Sequence, residues 1–241
     1  MKTVRFCLPL IVLCVAQLAS QGTDAQFMQQ GPKLVGADAV ANGIQGGISV
    51  AVSADGSTAI VGASQDNNGV GAAWIFARSG GIWAQQGAKL VGTGAVTNAQ
   101  QGFSVALSAD GNTAIVGGPY DGAAWVYTRS GGVWVQQGPK LVGTGDADLQ
   151  LQGWSVALSA DGNTAIVGGP LTGGNGAALV FTRSENVWTQ RGAELVGTGG
   201  SGGAYQGGAV ALSADGNTAV VGGPDDADGV GATWVLSLIH I

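Results

Sequence analysis

An all-β protein built from four-stranded propeller blades is the fold class this sequence predicts, and three observations predict it. The tripeptide Ala-Asp-Gly recurs with its aspartate at 55, 110, 161 and 215, spacings of 55, 51 and 54 residues that suit one propeller blade each. Between these marks lie short runs of Val, Ile, Ala and aromatic residues bounded by Gly, Asn and Ser. Composition agrees: 45 glycines in 241 residues and only 10% charged side chains describe a chain of strands and turns.

Each unit reads as four β runs, A to D. In the second copy these are residues 104–108, 113–117, 123–129 and 133–143. Ala109-Asp110-Gly111-Asn112 joins A to B, and its Asp-Gly pair suits the positive φ of a tight hairpin. Arg-Ser-Gly-Gly joins C to D at 78–81 and 129–132, and Arg183-Ser184-Glu185-Asn186 does so in the third copy. Consecutive hairpins give an up-and-down sheet, and radial stacking covers both faces of such sheets.

Unequal spacing locates the variable element. From the strand-D tryptophan to the next Asp is always 27 residues, and from Gly71, Gly122 and Gly176 to the following Trp is always 12. From Asp to the glycine that opens strand C the count is 16, 12, 15 and 16. Length therefore varies only between B and C. In an up-and-down blade those loops share a face with the D-to-A connectors, so this is the candidate recognition face. Its candidate ligand-binding residues are Asp66, Asn67, Tyr120, Asp121, Tyr205, Asp225, Asp226 and Asp228.

The first residues carry Lys2 and Arg5, an apolar run over 6–19, and then small and polar side chains. That is the layout of a secretory signal peptide, cut after Ser20 or as late as Ala25; the run is short of the ~20 residues a membrane anchor needs. A secreted, extracellular location is the expectation. Both cysteines, Cys7 and Cys14, lie inside the leader, so the mature chain forms no disulfide. Removing Lys2 and Arg5 from nine basic residues leaves seven against fifteen acidic, a net charge of −8. This argues against nucleic acid and anionic membranes as partners.

Gly102-Phe103-Ser104-Val105-Ala106 and Gly153-Trp154-Ser155-Val156-Ala157 open strand A, and Gly-Gly-Pro follows strand B at 117–119, 168–170 and 222–224. Gly122-Ala123-Ala124-Trp125-Val126-Tyr127 opens strand C. Over residues 27–235 these units resemble the FG-GAP repeats of integrin-α-like propellers. The resemblance implies a binding or adhesion module with extracellular protein or glycan ligands. Members often hold calcium in a D-x-D-x-D-G-x-x-D loop between A and B. Here that pattern falls on Ala106, Ser108, Asp110, Gly111 and Ala114, which leaves one carboxylate where Ca²⁺ wants about six to eight oxygens. The four Asp-Gly aspartates are therefore read as turn formers. No cofactor or metal is expected, with Asp225, Asp226 and Asp228 the one acidic cluster that offers calcium an alternative.

Trp83, Trp134 and Trp188 recur in strand D, and Trp74, Trp125 and Trp234 in strand C, fixed positions that suit packing between blades. Tyr120, Trp154 and Tyr205 are less regular. Catalysis lacks its usual parts: His240 is the only histidine, Glu185 and Glu194 fall in a turn and an outer strand, and Asp146 and Asp148 lie two apart in one connector. No catalytic residue is assigned. A secreted hydrolase and a non-catalytic fragment of a larger propeller are the alternatives to a binding module.

Residues 27–36 match 134–143, a strand D with no A, B or C before it, whereas the fourth copy has A, B and C through Val235 and no D. Two outcomes follow: a closed four-bladed ring, latched by the early strand D, or an arc of a larger propeller. Residues 236–241 are read as a tail outside the repeat.

Overall fold

Alternating hydrophobic runs, cut by Asp-Gly and Gly-Gly turns, form four antiparallel sheets in the computed structural model, which describes residues 28–40, 49–144, 151–201 and 203–238. The chain divides into two compact units, Met1–Gln30 and Gly31–Ile241, and all four sheets belong to the second. Residues 1–27, with the leader and both cysteines, lie outside the described residues.

The first sheet comprises β1 (Ser49–Val52), β2 (Thr58–Ala63), β3 (Ala72–Ser79) and β4 (Ile82–Gln85). The second comprises β5 (Ser104–Leu107), β6 (Thr113–Gly118), β7 (Ala123–Ser130) and β8 (Val133–Gln136). In the third are β9 (Ser155–Leu158), β10 (Thr164–Gly169), β11 (Ala177–Ser184) and β12 (Val187–Gln190). The fourth has three described strands, β13 (Ala209–Leu212), β14 (Thr218–Gly223) and β15 (Ala232–Ser237). Every sheet runs up and down in sequence order, with β1, β5, β9 and β13 side by side as the innermost strands. This is the β-propeller blade repeated four times.

Two boundaries differ from the sequence expectation. Strand D is much shorter: β8 stops at Gln136 because Gly138 turns at φ +74° and Pro139 has no N–H to give a ladder. The Gln136 side chain then donates to the Gly138 carbonyl at 2.8 Å, and the run regains only an isolated bridge, Leu141 to Ala124. Repeat structure also extends past Val235. β15 continues through Ser237, and buried Leu238 donates its N–H to the Asn217 carbonyl at 2.8 Å, as Arg129 does to Asn112. Residues 239–241 lie outside the described residues.

The Asp-Gly aspartates do form the turns. Asp110 accepts from Ser108 Oγ at 2.6 Å and from the Asn112 N–H at 2.9 Å, while Ser108 Oγ accepts the Thr113 N–H. Gly111, at φ +66°, supplies the left-handed residue. The pattern repeats at Asp55, Asp161 and Asp215. Hydrogen bonds from Ser53 and Ser57 hold the Asp55 carboxyl at about 2, and bonds from Ser159 and Ser213 lower Asp161 and Asp215. At Asp110 burial pushes upward, and the bonds from Ser108 and Asn112 prevail.

These shifts set a pH dependence. A carboxylate whose native pKa lies below its unfolded value adds stability above the unfolded value, and loses it as pH falls through the native one. Urea midpoints should hold steady from pH 7 to about 5 and then fall steeply toward pH 2, in the window these four turns define. A quadruple Asp→Asn variant should show a flatter acid limb; an identical limb would exclude the turns as its source.

Blades meet through facing apolar sides. Ile60, Ala73 and Ile75 of the first sheet pack on Val105, Val116, Trp125 and Tyr127 of the second. The pattern recurs between the second and third sheets and between the third and fourth. Trp125, Trp134, Trp188 and Trp234 serve these junctions, whereas Trp74 and Trp83 pack with Ala63, Ala72 and Phe76 of their own blade and with Ala39. Arg129 and Arg183 lie over Trp134 and Trp188 at 5.4 Å, and both indoles donate to Gln86 or Gln137 of the preceding blade at 2.9 Å.

Candidate ligand face

The B-to-C loops and the D-to-A connectors form one continuous face. Gln100 N–H donates to Gly69 O at 2.8 Å and Gln101 N–H to Val70 O at 3.1 Å, which ties the first connector to the first B-to-C loop. The Val96 N–H of the same connector donates to Asp121 in the next blade's loop at 3.0 Å. On the opposite face the A-to-B turns are linked N–H to carbonyl, Ala54 to Ala109, Ala109 to Ala160 and Ala160 to Ala214, each at 2.9 Å. Loop length therefore varies on one face and is constant on the other.

Three of the candidate binding residues turn inward. Asp66 is fully buried, accepting the Val40 N–H at 2.8 Å and pairing with Lys89. The Asp121 carboxylate is buried between the Val96 N–H and Lys140, the latter at 2.6 Å. Buried Asp226 accepts Ser201 N–H at 2.6 Å and Ser201 Oγ at 3.0 Å. All three occupy one repeat position and clamp the incoming connector. In the third repeat this position is Thr172, and the lysine position is Glu194, so the charges change together. Of the acidic cluster, Asp226 is buried and bonds Ser201 through one carboxylate oxygen, whereas Asp225 and Asp228 are exposed. No group of three or more His, Cys, Asp or Glu able to hold a metal occurs among the described residues.

Asn67, Tyr120, Tyr205, Asp225 and Asp228 remain exposed on the face. Asn67, Tyr205 and Asp228 have φ of +50°, +55° and +59°. Gln100 and Leu151, the repeat counterparts of Tyr205, are also left-handed, at +55° and +61°. Non-glycine residues resist this region, so one strained turn is built into three repeats at the same place.

The strained turn aims the residues that follow it. Gln101, Gln152 and Gln206 are buried and accept the N–H of Gly92, Gly143 and Gly197, which locks each connector. Two residues further on, Phe103 and Trp154 stand at the mouth of the innermost strands, partly exposed, their ring centroids 4.5 Å apart and tilted by 47°. Here two adjacent blades present a single aromatic surface on the variable face. Sequence reading noted Trp154 as irregular but did not pair it with Phe103; their shared place after Gln-Gly was the available signal. Asp146 and Asp148, the carboxylates weighed for hydrolysis, lie outside the described residues. No described helix is long and apolar enough to cross a membrane.

No family model and no curated protein matches the chain. Solved structures do. The chain is similar to Kuenenia stuttgartiensis hydrazine synthase, at 16% identity and a TM-score of 0.51, over 89% of this chain and 50% of that one. It is similar also to a functionally unknown protein from Desulfotomaculum acetoxidans DSM 771, at 14% identity and a TM-score of 0.51, over 79% of this chain and 55% of that one. This chain spans about half the length of each. At such identities the likeness is one of fold alone, and the fold is propeller-like.

Proposed function

We propose that this protein is a secreted, non-catalytic binding module of the FG-GAP kind, which recognises an extracellular protein or glycan through the face of B-to-C loops and D-to-A connectors. One observation carries the reading: the Phe103–Trp154 pair stands partly exposed on the face where loop length varies. Flat aromatic surfaces serve sugar rings and apolar side chains alike, at little cost in conformational entropy. Tyr120 and Tyr205 extend the aromatic character outward, and Asn67, Asp225 and Asp228 supply polar contacts.

A glycan array and a pull-down from extracellular fluid, each run with the purified chain, test the proposal. Trp154→Ala should weaken a bound ligand about thirtyfold, as loss of a central aromatic anchor worth about 2 kcal/mol does. Shortening residues 225–230 should weaken it less. Retained binding in both variants would place recognition elsewhere.

A further inference from the structure

The junction made three times inside this chain is half-made at two more places. Val50, on the outer face of the first sheet, stands at the repeat position of Val105, yet it is 65% exposed against 7%. Val52 beside it is 60% exposed. On the outer face of the fourth sheet Val235 stands at the position of Ile75, Val126 and Val180, and it is 71% exposed where those are buried. The two open faces are the two complementary halves of one known junction.

Glycine packing shows the same vacancy. A Cβ built on Gly62, Gly117 or Gly168 runs into the carbonyl of Gly102, Gly153 or Gly207 in the following blade. Built on Gly222, the fourth counterpart, it meets only its own blade's Ala209, at 3.5 Å and beyond. Beside Gly222 a recess is lined by Ala209, Gly223, Pro224, Val230 and Thr233.

Charge identifies the occupant. Asp66 and Asp121 pair with Lys89 and Lys140, which follow β4 and β8 of their own blades. In the fourth blade Asp226 has no lysine partner among the described residues. Residues 27–36 carry Lys33 at that lysine's place in the motif. Lys33 is exposed and forms no salt bridge among the described residues. Next to it Leu34 is 38% exposed, whereas its counterparts Leu90 and Leu141 are 6% and 5% exposed and bridge Ala73 and Ala124. The fourth-blade equivalent of those alanines is Thr233, on the outer edge of β15, where no described strand pairs.

We propose that two copies of the chain close head to tail into one ring of eight blades, the Lys33-Leu34 segment of each completing the other's fourth blade. Three like junctions join the four blades in order, and the outer faces of the first and fourth sheets of one chain are still unmet. A second copy supplies the missing junctions, and eight blades fall within the range of about four to eight that propellers use. Each junction is heterologous, and two of them close the ring with twofold symmetry.

Sedimentation of the purified chain should give twice the chain mass. Val52→Glu, on one open face, and Val235→Glu, on the other, should each give single chains with unchanged near-ultraviolet tryptophan dichroism, since both side chains are exposed within one copy. Gly222→Ala should do the same by filling the recess. Lys33→Glu should weaken association about tenfold or more, by placing like charges together. An equimolar mixture of the two valine variants should recover a two-chain species through its one intact junction. A single-chain wild type, an open-ended ladder of masses, a dimer indifferent to both valine substitutions, or a mixture that stays single-chain would each overturn the proposal.

Discussion

Trp125→Ala should remove about 4 kcal/mol of stability, read as a fall in the urea midpoint at unchanged slope. The indole is fully buried in β7 at the junction of the first and second blades, among Ile60, Ile75, Leu90 and Val116. Gly92 and Gly118 close on it so tightly that a Cβ at either would strike the ring. Such a site cannot collapse, so the cavity remains and the cost belongs in the range of about 3 to 5 kcal/mol for large-to-small aromatic changes. Loss of the Nε1–H bond to the Thr93 carbonyl, 3.0 Å long, adds to it. Trp234→Ala removes the same residue type at the same repeat position, with the same bond to Thr198 at 3.0 Å, but from a partly exposed site. Its cost, measured at dilutions where the chain is single, should be about half. Equal costs for the two would mean that burial at the junction is not the source.

That comparison shows where the sequence was legible. Anything set by one repeat's own residues could be read: the Asp-Gly turns, the strand order and the inter-blade tryptophans all depend on local turn chemistry and on recurrence. The strand-D range 133–143 is too long because Gly138 and Pro139 break its ladder after Gln136. Asp66, Asp121 and Asp226 were read as ligand contacts because charge in a variable loop suggests exposure. Their partners lie 23, 19 and 25 residues away, and only the fold brings those partners in. Recurrence was the usable signal here as well, for these residues share a repeat position as firmly as the tryptophans do. The Phe103–Trp154 pair has partners in different blades, 51 residues apart in sequence. Only the side-by-side placement of β5 and β9 reveals it.

Gly117→Ala should cost about 3 kcal/mol, although replacing a strand glycine by alanine ordinarily gains about 0.5 to 1 kcal/mol. The sign reverses because of what lies across the junction. A Cβ there meets the Gly153 carbonyl and the Ser104 hydroxyl, and that hydroxyl donates to the same carbonyl at 2.8 Å. Neither can withdraw easily. Gly153 is held at φ +91°, its N–H donates to Gly168 O at 3.0 Å, and a Cβ on it would strike the Ala123 carbonyl. Backbone is thus pressed against backbone from both sides, and one methyl must push the neighbouring blades apart. This gives the Gly-Gly-Pro and Gly-aromatic motifs a single physical meaning, as the two halves of a contact too close for any side chain. Ser104→Ala in the Gly117→Ala background separates the two sources of strain. If the hydroxyl were the obstacle, the double variant would recover most of the loss; a carbonyl obstacle leaves the loss in place, and that is the expected result.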